Sequence, residues 1–153
     1  MKVEQIMSRP VISCRAHDTL NLAAGLMWQN DCGVLPVIDD DGVVIGMLTD
    51  RDICMAGYTS GRNFTAITVA SAMAKKVVGC LPSDAIVEVE KVMASEQVRR
   101  LPVLDGHRRP IGIISLNDIA RASAHTSRKS AAEVASTMAA VCAPRRPLSL
   151  QAV

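Results

Sequence analysis

Aromatic side chains are nearly missing from this 153-residue chain, which has only Trp28, Tyr58 and Phe64. With 49% of the residues hydrophobic, a core is affordable, but it must be filled by aliphatic side chains and methionine. The same scarcity argues against single-stranded nucleic acid, whose bases need aromatic platforms. A formal net charge of +2 supplies no basic face for a duplex either. The five cysteines are odd in number and lack a C-x-x-C pair, which argues against a disulfide framework or a zinc site. No run reaches the roughly 18 uncharged apolar residues of a membrane helix. Lys2, Glu4 and Arg9 break the pattern of a signal peptide. A cytoplasmic location is therefore expected, with Cys14 and Cys80 read as buried thiols in a reducing compartment. There is no Walker loop, no G-x-S-x-G and no H-E-x-x-H, so catalysis is not expected, nor is a metal or cofactor.

What is present is a repeat. Moving residues 3–53 forward by 66 positions superimposes them on residues 69–119 without a gap, with 14 identities including Val3/Val69, Met7/Met73, Gly46/Gly112 and Asp52/Asp118. Such a period fixes architecture before any local reading. Each unit is too short to bury its own apolar face, so the two are expected to pack face to face about a pseudo-twofold axis with two related clefts. The expected organisation is repeat 1 with its linker over 1–62, repeat 2 over 63–122, and a tail over 123–153. The tail is basic, with 5 Lys+Arg against 1 Asp+Glu beyond residue 120.

Each unit reads as strand, helix, hairpin, helix. Val11–Ser13 and Val77–Gly79 are the short lead-in segments, and Asp18 and Asp84 stand where a helix N-cap is wanted. Leu20, Ala23 and Met27 in repeat 1, and Ile86, Val89 and Met93 in repeat 2, have the spacing of a half-buried helix. Leu35–Ile38 and Val43–Leu48 flank the turn-forming Asp39-Asp40-Asp41-Gly42, a hairpin signature repeated around Asp105–Pro110. Gly57–Thr68 is expected to link the copies. Ala131–Cys142 is rich in helix formers and predicts a tail helix ended by Pro144-Arg145-Arg146-Pro147.

One motif recurs at each last helix: Gly46-Met47-Leu48-Thr49-Asp50-Arg51-Asp52-Ile53, and Gly112-Ile113-Ile114-Ser115-Leu116-Asn117-Asp118-Ile119. Thr-x-x-Asp has the form of a capping box, with the hydroxyl on the N3 amide and the acid reaching back. The same geometry suits a ligand, because free amides at a helix start attract phosphate and a fixed carboxylate accepts ribose hydroxyls. The motif by itself leaves both open.

These tandem units, each with V-x-x-x-M, a Pro-Val-containing strand and the G-h-h-[T/S]-x-x-D-h run, resemble a pair of cystathionine-β-synthase (CBS) domains over about residues 1–122. The resemblance implies an α/β module of two repeats packed sheet to sheet, with clefts for AMP, ADP, ATP or S-adenosylmethionine, and a regulatory role. By the pattern of nucleotide-binding members, one cleft would join Thr49, Arg51 and Asp52 to Val77 and Val78, with Arg99 and Arg100 meeting phosphates. The other would join Ser115, Asn117 and Asp118 to Val11 and Ile12, with Ser8 nearby; at the position of the arginine pair repeat 1 has Gly33 and Val34. The first cleft is therefore expected to be the one that prefers phosphate. Arg99 and Arg100 can equally be a solvated helix end.

The resemblance also implies a homodimer formed through the helices, with Leu22, Leu26, Val87 and Val92 available beyond one core face. A further protein target would remain to be identified. The alternative is a ligand-free dimerisation module in which Asp52 and Asp118 are only caps. His17, His107 and His125 fall in turns or the tail, where a surface role is expected, and Trp28 is read as packing or a dimer contact.

Overall fold

The computed structural model describes residues 1–124 and 131–143. After a 3-10 turn at Val3–Gln5 come β1 (Cys14–Arg15), α1 (Leu20–Gln29), β2 (Val34–Ile38), β3 (Val44–Thr49) and α2 (Asp50–Ser60). A second 3-10 turn at Phe64–Ala66 leads to α3 (Val69–Ala72), α4 (Ile86–Glu96), β4 (Arg100–Leu104), β5 (Pro110–Ser115), α5 (Leu116–Ala124) and α6 (Ala131–Val141). β2 and β3 form an antiparallel hairpin flanked by the parallel β1, and β4 and β5 form the equivalent hairpin in repeat 2. Cys80 replaces β1 there with a single parallel bridge to Val103, just as Cys14 pairs with Val37.

The two repeats exchange the residues that precede their lead-in segments. Ser8 and Ile113 hydrogen-bond each other reciprocally at 2.8 and 3.1 Å, and Ala74 and Met47 do the same at 2.9 and 3.0 Å. These residues are 66 positions apart, pair by pair, so the contacts obey the pseudo-twofold read from the repeat. The apolar cores are crossed likewise. Val3 is buried with Val89, Met93, Leu101 and Ile114 of repeat 2, while Ile67 and Val69 are buried with Leu20, Leu35 and Leu48 of repeat 1. Neither core closes without the other repeat's N-terminal residues, and hydrophobic burial thereby ties the two units into one body.

Several local expectations are corrected. The N-cap of α1 is Thr19, whose hydroxyl accepts from the Leu22 amide at 3.2 Å. Asp18 instead closes the preceding turn by accepting from the Arg15 amide at 2.7 Å, and Asp84 does so from Leu81 at 2.8 Å. Short acidic side chains favour such local turns as readily as caps. Val11–Ser13 and Val77–Gly79 make no ladder of their own; pairing starts one residue later, at Cys14 and Cys80. The linker is also shorter than expected, since α2 runs to Ser60 before Gly61 turns left-handed at φ 62°. The tail helix lies against repeat 2: Val141 is buried in its core, and Gln97 Nε2 donates to the Ala143 carbonyl at 3.2 Å. His125 and the Pro144–Pro147 stop lie outside the described residues.

Candidate functional site

The Thr/Ser-x-x-Asp motifs do form capping boxes. Asp52 Oδ2 accepts from the Thr49 amide at 2.8 Å and from its hydroxyl at 2.7 Å, while the Asp52 amide donates back to Thr49 Oγ1 at 3.2 Å. Asp118 Oδ2 accepts from the Ser115 amide and hydroxyl at 2.9 and 2.5 Å, and its amide donates back at 3.2 Å. The first turn of each helix is thus stabilised from within the motif. Both caps use Oδ2 alone and leave Oδ1 outside the cap.

Around Asp118 the structure gathers one complete set of expected residues. A cavity of about 530 Å³ is lined by Ser8, Val11, Ile12, Ser115, Asn117 and Asp118, together with Arg9, Arg100 and Arg121. That volume is within the range of small-molecule pockets, about 300–1,000 Å³. Val11 and Ile12 come from repeat 1 and the carboxylate from repeat 2, brought together by the Ser8–Ile113 bridge. Asp118 is only 5% exposed, and Ser8 Oγ donates to its Oδ1 at 3.4 Å.

Arg100 lies on the opposite cleft from the one the resemblance assigned to it. In the β4–β5 ladder Arg100 is directly across from Ser115, which starts the Asp118 motif. Cross-strand neighbours share a sheet face, and Arg100 lines the cavity of Ser115 and Asp118, with its Nη2 3.8 Å from where a Cβ on Gly33 would stand. The corresponding partner of Thr49 in the β2–β3 ladder is Val34. Arg99 is exposed, and its carbonyl accepts from the Leu116 amide at 3.0 Å. Both arginines lie beyond the end of α4 at Glu96, so neither belongs to its last turn.

Thr49, Arg51, Asp52, Val77 and Val78 line neither of the two cavities described. Arg51 is exposed and Asp52 half-buried, and the repeats meet on that side through the Met47–Ala74 bridge. The larger cavity, about 840 Å³, is instead a groove between α1 and α2. It is flanked by Trp28, Tyr58 and Phe64 and contains Asp31, Asp50, Arg62 and Arg100, two charges of each sign. Its size does not make it the chemical site, because it holds neither motif carboxylate. Trp28 is 88% and Tyr58 82% exposed, so neither packs within the chain. The groove was not legible from periodicity, since it exists only where α1 and α2 meet.

Burial pushes the thiols of Cys14 and Cys80 up to about 12 from an ordinary 9.0, with Asp18 and Asp84 respectively adding a smaller push in the same direction. They are therefore inert neutral side chains. Among the described residues no three His, Cys, Asp or Glu side chains converge as a metal site. His17 and His107 are exposed. Among the described residues no helix is long and apolar enough to cross a membrane.

Comparison with known proteins agrees with this architecture. The family model for the CBS domain matches twice, at residues 3–58 and 69–125. Hypoxic response protein 1 of Mycobacterium tuberculosis is 38% identical over 116 residues, which is 76% of this chain and 80% of that protein. Its crystal structure with two coordinated zinc ions aligns with a TM-score of 0.71 at 36% identity, covering 79% of this chain and 98% of that one. The CBS domain pair of protein MJ0100, solved with 5-methylthioadenosine and S-adenosyl-L-methionine, aligns with a TM-score of 0.75 at 25% identity, covering 82% of this chain and 97% of that one.

Proposed function

The chain belongs to the CBS-domain family as a tandem pair, and from that premise we propose that it is a regulatory module which takes a phosphorylated adenosine in the Asp118 cavity. The observation that carries the reading is the meeting of Asp118, Val11, Ile12 and Arg100 around one cavity. In it the carboxylate accepts ribose hydroxyls, the backbone of Val11 and Ile12 holds the base, and Ser115 and Asn117 line the ribose end. Arg9, Arg100 and Arg121 give the cavity three cations against Asp31 and Asp118, which favours an anionic ligand. AMP, ADP and ATP fit that balance better than S-adenosylmethionine, whose sulfonium is itself a cation. The MJ0100 pair supports the adenosine moiety, and the arginines support the phosphate.

Calorimetric titration with AMP tests the reading. Asp118→Ala is expected to abolish binding, and Arg100→Ala to weaken AMP about tenfold or more while leaving adenosine nearly unchanged, since a charge-assisted hydrogen bond contributes about 1.5–3 kcal/mol. Binding that survives Asp118→Ala but is lost in Asp52→Ala would return the site to the cleft of Thr49, Arg51, Asp52, Val77 and Val78.

A homodimer is part of the same proposal, with a second copy seated on the α1–α2 groove. Trp28 and Tyr58 are exposed on its rim, and its two acids and two arginines offer both signs of charge to an identical face. The equivalent face of repeat 2 is occupied by α6, so α4 offers less than the repeat pattern implies. A ligand-free dimerisation module is the second reading, favoured by capping boxes that are complete without a ligand.

A further inference from the structure

The two repeats treat the free oxygen of their motif carboxylates differently. Asp118 Oδ1 accepts from Nη2 of Arg121, one turn later on α5, as well as from Ser8. In repeat 1 the residue equivalent to Arg121 is Met55 and the one equivalent to Ser8 is Ala74. Neither can donate a side-chain hydrogen bond, and Asp52 Oδ1 has no protein partner among the described residues. The Arg121 side chain is 72% exposed, whereas Asp118 is buried. Its guanidinium thus stands at the mouth of the cavity with its charge on a buried acid.

We propose that Arg121 is a built-in competitor that sets the ligand class of this cavity. It occupies the carboxylate oxygen that a ribose hydroxyl would take, and yields it only when the ligand brings an anion for the guanidinium. The proposal rests on the adenosine reading of the Asp118 cavity. Its physical basis is an asymmetry of exchange. A neutral nucleoside must strip a cation from a buried carboxylate and return only hydroxyl donors, leaving the acid less well compensated. A phosphate gives Arg121 a second partner in the same cavity, with a fork geometry that matches its oxygens. Arg121 swings from Asp118 to the phosphate by rotation about its own side chain, with no change in the α5 backbone. Arg9 and Arg100, also on the lining, hold the phosphate in place. A cavity with this device discriminates against adenosine and in favour of AMP, although both carry the same base and ribose.

Calorimetric titration of adenosine and AMP against the unaltered chain and Arg121→Met, the residue repeat 1 carries, provides the test. The unaltered protein is expected to prefer AMP by at least tenfold. Arg121→Met is expected to bind adenosine more tightly and AMP more weakly, so that the preference falls about tenfold, while Arg121→Lys keeps it in part. Equal weakening of both ligands, or an unchanged ratio, overturns the competitor and leaves the adenosine site standing. Failure of both ligands to bind the unaltered chain overturns the site and the competitor together. A second measurement needs no variant: inorganic phosphate at matched ionic strength is expected to tighten adenosine binding by drawing Arg121 away. Adenosine affinity that falls or stays constant across the phosphate series contradicts the proposal.

Discussion

Met73 lies across the open face of Gly46, so close that a Cβ added to the glycine would come within 2.7 Å of its Sδ and 3.1 Å of the Ala74 carbonyl oxygen. Met7 lies on Gly112 in the same way. The methionine of each repeat therefore packs onto the glycine of the other, one residue from the bridge that joins them. This explains why both members of each pair recur at the 66-residue offset.

Gly46→Ala is accordingly expected to destabilise the fold by overpacking, about 1–3 kcal/mol. Shortening the opposing side chain, in Gly46→Ala with Met73→Ala, should recover part of the loss. Denaturant titration of the single and double variants measures the coupling; strictly additive losses would mean that the two residues do not press on each other.

The buried thiols predict a pH dependence. Cys14 and Cys80 titrate near 12 when folded and near their ordinary 9.0 when unfolded. Above pH 9 the unfolded chain releases protons that the folded chain retains, so their contribution to stability falls as pH rises from 9 toward 12. Below 9 they contribute no slope. In native protein a thiol reagent should modify the exposed Cys142 and spare Cys14 and Cys80 until denaturant is added. Rapid native labelling of Cys14 would contradict their placement in the core.

Trp28 is the chain's only tryptophan, and its exposure makes it a direct reporter of the proposed dimer face. Light scattering should show a dimer whose dissociation on dilution is accompanied by a red shift of tryptophan emission. Trp28→Glu with Tyr58→Glu should yield a monomer that melts nearly as the unaltered chain does. A dimer that persists in this variant would exclude the α1–α2 groove as its interface.

The 66-residue period, the glycine-marked hairpins, the half-buried helices and the Thr/Ser-x-x-Asp caps were legible because each depends on neighbours close in sequence. α6 was legible as a helix for the same reason, though not that Val141 would enter the core of repeat 2. Tertiary structure decided two things that no spacing along one element carries. It crossed the residues that precede the lead-in segments, so that Val3 completes the core of repeat 2 and Val69 that of repeat 1. It set Arg100 opposite Ser115, because hairpin register makes cross-strand neighbours of residues 15 positions apart. Arg121 on Asp118, by contrast, is an i,i+3 pair within α5 and depends on helix spacing alone, and Met55 at the equivalent position leaves Asp52 open. A repeat determines its own local geometry twice over, but the charges that differ between the copies act only through what the packed chain brings beside them.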